Sequence, residues 1–158
     1  MKWVLGLGIV LLFGVLLLAG CSAGIDRAAG PDDALLSGKI TLLKSSSCGC
    51  CTGWGKYAEK QGFKVDVKIK DDLQTLKDDY RIPMEMRSCH TALIGDYFVE
   101  GHVPLEAVTK LLEEKPDIAG IALPGMPSGS PGMPGKKTES WVIYGINKDG
   151  SSFEFMTL

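Results

Sequence analysis

Three cysteines sit within four positions in Ser47-Cys48-Gly49-Cys50-Cys51, and a fourth, Cys89, stands beside His90 in Ser88-Cys89-His90-Thr91-Ala92. Cys48 and Cys51 have the C-x-x-C spacing of a dithiol that can cycle between thiol and disulfide. Cys50, wedged between them, is one thiol too many for that chemistry. A helix N-terminus favours thiolates through its unpaired N–H groups, but several thiolates a few ångströms apart oppose one another. A bound cation removes that conflict. Thiolates select soft metals, so Cu(I) is the best match and Zn(II) the next. Two further histidine and methionine sets have donor atoms of the right kind. His90 adjoins Cys89, and His102 lies in Glu100-Gly101-His102-Val103-Pro104 just before an expected helix, where it could equally serve as a backbone-bonding group. Met126 and Met133 lie in the loop PGMPSGSPGMPG at 124–135, which has no periodicity to suggest burial, and thioethers bind Cu(I).

The elements that must hold these residues follow from periodicity. Residues 39–43 (KITLL) read as a strand, the cysteines follow in a turn, and 54–61 carry helix formers that Gly62 stops. FKVDVKI at 63–69 alternates apolar and polar residues, the pattern of a half-buried strand. Asp71 and Asp72 can cap a helix to about Tyr80, and TALI and YFVE flank Gly95-Asp96 as a hairpin. Pro104 opens a helix to Glu114 with Leu105, Val108, Leu111 and Leu112 on one face. The 124–135 loop can form neither helix nor ladder, and 141–146 with 152–156 read as a terminal hairpin.

This order predicts an α/β, thioredoxin-like sandwich with an added C-terminal hairpin over residues 38–158. In that layout the C-x-x-C occupies the turn after the first strand. Aligning Thr91 with the threonine after the thioredoxin cis-proline puts His90 in the proline's place and Cys89 beside it. Cys89 and His90 are then expected to come to Cys48, Cys50 and Cys51.

The N-terminus bears on compartment. Lys2 precedes an apolar run over 4–18, too short for a comfortable span and of signal-peptide length. It ends in Leu18-Ala19-Gly20-Cys21, which resembles a bacterial lipobox. The resemblance implies a signal peptide over 1–20, lipidation of Cys21 and a location in the periplasm, with Ser22 pointing to the outer membrane. Residues 21–37 then form a flexible tether. Losing Lys2 leaves 16 of the 17 basic residues against 19 acidic ones, and no basic cluster suggests nucleic acid as a partner.

Taken together, SCGCC, SCHTA, YFVEGHVP and PGMPSGSPGM resemble the CopG-like copper-resistance family, long catalogued as a bacterial domain of unknown function. The resemblance covers roughly residues 40–133. It implies envelope copper handling, a Cu(I) cluster held by Cys48, Cys50, Cys51 and Cys89, interconversion of Cu(I) and Cu(II), and contact with other envelope copper-handling proteins. Three alternatives stand beside it: a thiol–disulfide oxidoreductase using Cys48 and Cys51, a zinc-stabilised module, and structural disulfides alone.

Overall fold

The computed structural model describes residues 38–158, so the expected signal peptide, Cys21 and the tether lie outside the described residues. Strands β1 (Lys39–Lys44) and β2 (Lys64–Ile69) pair in parallel around helix α1 (Gly49–Lys60). Helix α2 (Leu73–Asp79) and a 3₁₀ turn at Met84–Met86 lead to the antiparallel hairpin β3 (His90–Ile94) and β4 (Tyr97–Gly101). Helix α3 (Leu105–Glu114) precedes β5 (Gly120–Leu123), and β6 (Val142–Ile146) and β7 (Ser152–Thr157) close the chain as a hairpin. All seven strands form one sheet in the order β2-β1-β3-β4-β5-β6-β7. The class is α/β, as expected, and the parallel β1–β2 unit, the β3–β4 hairpin and the terminal hairpin are all present. Among the described residues no helix is long and apolar enough to cross a membrane.

The core forms because α1 and α3 each turn an apolar stripe to the sheet. Trp54 and Ala58 from α1, with Val108 and Leu111 from α3, meet Ile40, Leu42, Ala92, Val99 and Ile121, all nearly inaccessible to solvent. A smaller cluster of Ile82, Met86, Phe98, Ala122 and Ile146 forms separately. Asp72 caps α2 by accepting from the backbone N–H groups of Gln74 and Thr75.

Three expectations need correction. The cysteines do not precede α1 but begin it: Cys48 is its N-cap, and Cys50 and Cys51 lie in its first turn. The sequence there has few helix formers, but the Cys48 sulfur accepts from the Cys51 N–H at 3.3 Å and supplies the cap itself. Strand β2 is less buried than its alternation suggests, with Val67 48% and Ile69 51% exposed, because it lies at the sheet edge. Strand β5 was not expected at all. It is four residues long and pairs in parallel with β4, and Gly120 is required there because a Cβ would stand 2.2 Å from the Phe98 carbonyl oxygen.

Candidate metal centre

The site lies where the start of α1, the start of β3 and the segment after β4 converge. Cys48, Cys50, Cys51 and Cys89 bring their sulfurs within 4.8 Å of one another. Cys48 and Cys51 are joined as a disulfide, with Cα atoms 5.4 Å apart, and Cys50 and Cys89 are free thiols. The Cys50 sulfur is 3.5 Å from that of Cys48 and 3.9 Å from that of Cys89. The Cys51 sulfur lies 3.6 Å from the Cys89 carbonyl oxygen. Residues 39 positions apart are thus neighbours, as the sequence argument required.

Cys89 is the hub of a second group as well, with His90 and His102. Its sulfur is 3.5 Å from His90 Nδ1 and 3.0 Å from His102 Nε2. His102 Nδ1 lies 2.7 Å from the carbonyl oxygen of Pro131. A carbonyl only accepts, so Nδ1 carries a hydrogen and donates, which leaves Nε2 to face Cys89 with its lone pair when the ring is neutral. Burial lowers the His102 pKa and so favours that neutral form. His102 therefore faces the Cys89 sulfur and is not simply a group capping α3.

The electrostatics are those of a crowded, partly buried pocket. Burial, and next to it the neighbouring Cys50, push the Cys89 thiol up to about 11. It is therefore a thiol, not a thiolate, at neutral pH. His90 is fully buried, and burial pushes it down to about 3, with the charge His102 gains when protonated at low pH, and those of Lys77 and Lys44, adding to the effect. Its Nε2 has no hydrogen-bond partner among the described residues, a rare condition for a buried polar atom. The His90 ring lies between Trp54 and His102, with centroids 5.1 and 4.9 Å away. Trp54 is itself fixed by donating from Nε1 to the Val103 carbonyl at 2.9 Å.

The 124–135 loop reaches this pocket through its second PGM segment, 131–133. Gly132 has φ +82, and a Cβ there would meet Trp54 N at 2.5 Å and Cys50 O at 2.6 Å. Only glycine lets the loop backbone lie so close to the first turn of α1. Pro131 meets His102, and Met133 follows directly on the contact. Met126, at the far end of the loop, is 42% exposed and has φ +48. A cleft of about 520 Å³ lined by Tyr57, Phe63, Leu105 and Glu106 contains none of the cysteines or histidines.

Sequence reasoning missed one part of the pocket. Lys77 and Glu100 are paired at 2.6 Å with side chains 1% and 0% exposed, beneath the segment that carries Cys89. Burial raises the Glu100 pKa, and the Lys77 ammonium acts against it.

Residues 86–133 match the model of a family described as a protein of unknown function, DUF411. No curated protein matches the chain. Two solved structures of the copper resistance protein CopG, Form 1 and Form 2, are each 38% identical to it. Each comparison covers 76% of this chain, and 96% and 97% of the CopG chains, with TM-scores of 0.70 and 0.71. The chain belongs to the CopG copper-resistance family. The family-model match alone spans Cys89, His90, His102, Met126 and Met133, whereas the CopG structures extend the likeness over most of the described domain.

Proposed function

We propose that this CopG-family chain is a copper-resistance protein of the periplasm, lipid-anchored through Cys21 to the outer membrane, that binds Cu(I) through Cys48, Cys50, Cys51 and Cys89. The observation that carries the reading is the convergence of four sulfurs within 4.8 Å, with His90 Nδ1 and His102 Nε2 at 3.5 and 3.0 Å from the Cys89 sulfur. The donor set suits the metal: soft sulfur, supported by imidazole, favours Cu(I) over hard ions. With Cys48 and Cys51 reduced, four thiols are available, and each gives up a proton on binding. His90 and His102 meet Cys89, a mixed sulfur and nitrogen environment that tolerates Cu(II) better than sulfur alone, which supports interconversion of the two oxidation states. Met133, beside the loop contact, and Met126 are donors or transfer ligands. Other envelope copper-handling proteins supply or receive the metal.

The test is titration of the reduced full-length chain with Cu(I) against a chromogenic chelator, with zinc in parallel. Tight uptake of Cu(I) with zinc excluded, and a lower stoichiometry in Cys50→Ser, are expected. Unchanged copper content in Cys50→Ser would sink the reading.

The disulfide favours a second reading. Cys48 and Cys51 are bonded across the first turn of α1, so metal-free protein is equipped for thiol–disulfide exchange with Cys48 as the more exposed of the two residues. Insulin reduction by the metal-free chain at the rate of a dedicated oxidoreductase would move this reading to the front.

A further inference from the structure

The two residues before and after Cys89 and His90 are tied to one buried carboxylate. Glu100 Oε1 accepts from the Ser88 backbone N–H at 2.6 Å, and its Oε2 accepts from the Thr91 hydroxyl at 2.6 Å. The Lys77 ammonium donates to Glu100 Oε1 at 2.6 Å and also to the Ser88 carbonyl oxygen. Both backbone groups of Ser88 are therefore held by the pair. Gly101 adds to the clamp, since the close fit of Ser88 against it leaves only 2.7 Å for any Cβ there.

An arrangement that served stability alone would not need charges. Replacing a buried ion pair by apolar residues of similar volume is often neutral or stabilising, because desolvation offsets the attraction. What the charges add is direction: a carboxylate with two oxygens and an ammonium with three hydrogens fix several neighbours at once. Here all of those neighbours belong to 88–91.

We propose that Lys77 and Glu100 are positioning residues, which hold the Ser88–Thr91 segment so that the Cys89 sulfur stands within reach of both the Cys50 sulfur and the two histidines. The inference rests on the copper-binding reading for what Cys89 does there, but not for where it is held. Outer-shell groups of this kind govern how well a ligand meets its metal without touching it.

The experiment uses the full-length chain and a double replacement, Lys77→Met with Glu100→Leu, which removes both charges and all the ties while roughly keeping volume. In the reduced, metal-free protein, iodoacetamide labelling read by mass spectrometry should modify Cys89 at least about fivefold faster than in the native chain, the release expected from losing one or more hydrogen bonds. Cys50 labelling should stay as it was, which a general loosening of the domain would not allow. Affinity for Cu(I) should fall about tenfold to a hundredfold. Adding Cys89→Ser to the double variant should then cost little more, because the two changes act through one sulfur. If the double variant does not fold by circular dichroism, Thr91→Val decides, since it removes a single tie and should still speed Cys89 labelling about threefold. Native Cys89 labelling in the folded variants would overturn the inference. If the native chain takes up no Cu(I), the copper reading fails by itself, and the labelling rates alone decide the positioning role.

Discussion

Replacing Gly132 by alanine tests whether the 124–135 loop is a fixed part of the centre. The added Cβ would stand 2.5 Å from Trp54 N and 2.6 Å from Cys50 O, both backbone atoms of α1 that cannot rotate away. Alanine at φ +82 costs about 1–2 kcal/mol in conformation. The overlap adds about 1–3 kcal/mol if the backbones stay in place. The loop can relieve the overlap by lifting off α1, at the cost of the His102 to Pro131 hydrogen bond, about 1 kcal/mol. The expected loss is therefore about 2–3 kcal/mol, a fall in Tm of about 5–12 °C for a domain of this size. Gly125→Ala is the control, because Gly125 has φ +78 but none of the described residues within 4 Å of a Cβ. It carries only the conformational part, about 1–2 kcal/mol. The assay is thermal unfolding of the reduced, metal-free chain, with the His102 tautomer followed by nitrogen-15 NMR. In Gly132→Ala the Nδ1 hydrogen should lose its fixed acceptor and the tautomers should mix. A Tm no lower than that of Gly125→Ala, with the Nδ1–H form retained, would refute the reasoning.

Two other perturbations probe the pocket. His90 is held at about 3 against an ordinary value near 6.5, so its contribution to stability is complete above pH 6.5 and is lost as pH falls from there toward 3. Urea midpoints of the metal-free chain and of His90→Gln, compared from pH 7 to pH 4, should converge as the pH drops. The comparison cancels Glu100, whose raised pKa acts with the opposite sign, and parallel curves would contradict the assignment. Trp54→Phe should destabilise by about 1.5–3 kcal/mol, since it leaves the buried Val103 carbonyl without its donor and opens space in the core. A urea midpoint within error of native would show that Trp54 is not the support described here.

Much of the fold could be read from the chain because its signals are local. The alternation in KVDVKI, the Asp72 cap and the apolar stripe of α3 each name their element without reference to the rest. Strand β5 gave no such signal: GIAL is too short for a period, and its pairing depends on Phe98 standing opposite a glycine. The start of α1 carries no local signal, because Gly49, Cys50, Cys51 and Thr52 are poor helix formers and a cysteine is an unusual capping acceptor. At the site, the convergence of Cys89 with the cluster follows from element order together with the alignment of Thr91 on a thioredoxin-like layout. Lys77 and Glu100 were hidden for a physical reason. In sequence a lysine within LQTLKDD looks like a solvated helix face, and only the arrangement of α2, β3 and β4 shows that its charge is buried and answered.

The Cys48–Cys51 bond has a consequence for how much metal such a protein can carry. A sulfur engaged in a disulfide is no longer a thiolate, so closing that one bond, with loss of two protons and two electrons, halves the number of free thiols at the centre from four to two. On the proposed function, oxidant and copper then contend for the same pair of atoms. An occupied centre would shield Cys48 and Cys51 from oxidation, and an oxidised one would turn copper away. On the proposed function, the load this chain can bear in the cell envelope depends on the redox state around it as much as on the number of copies made.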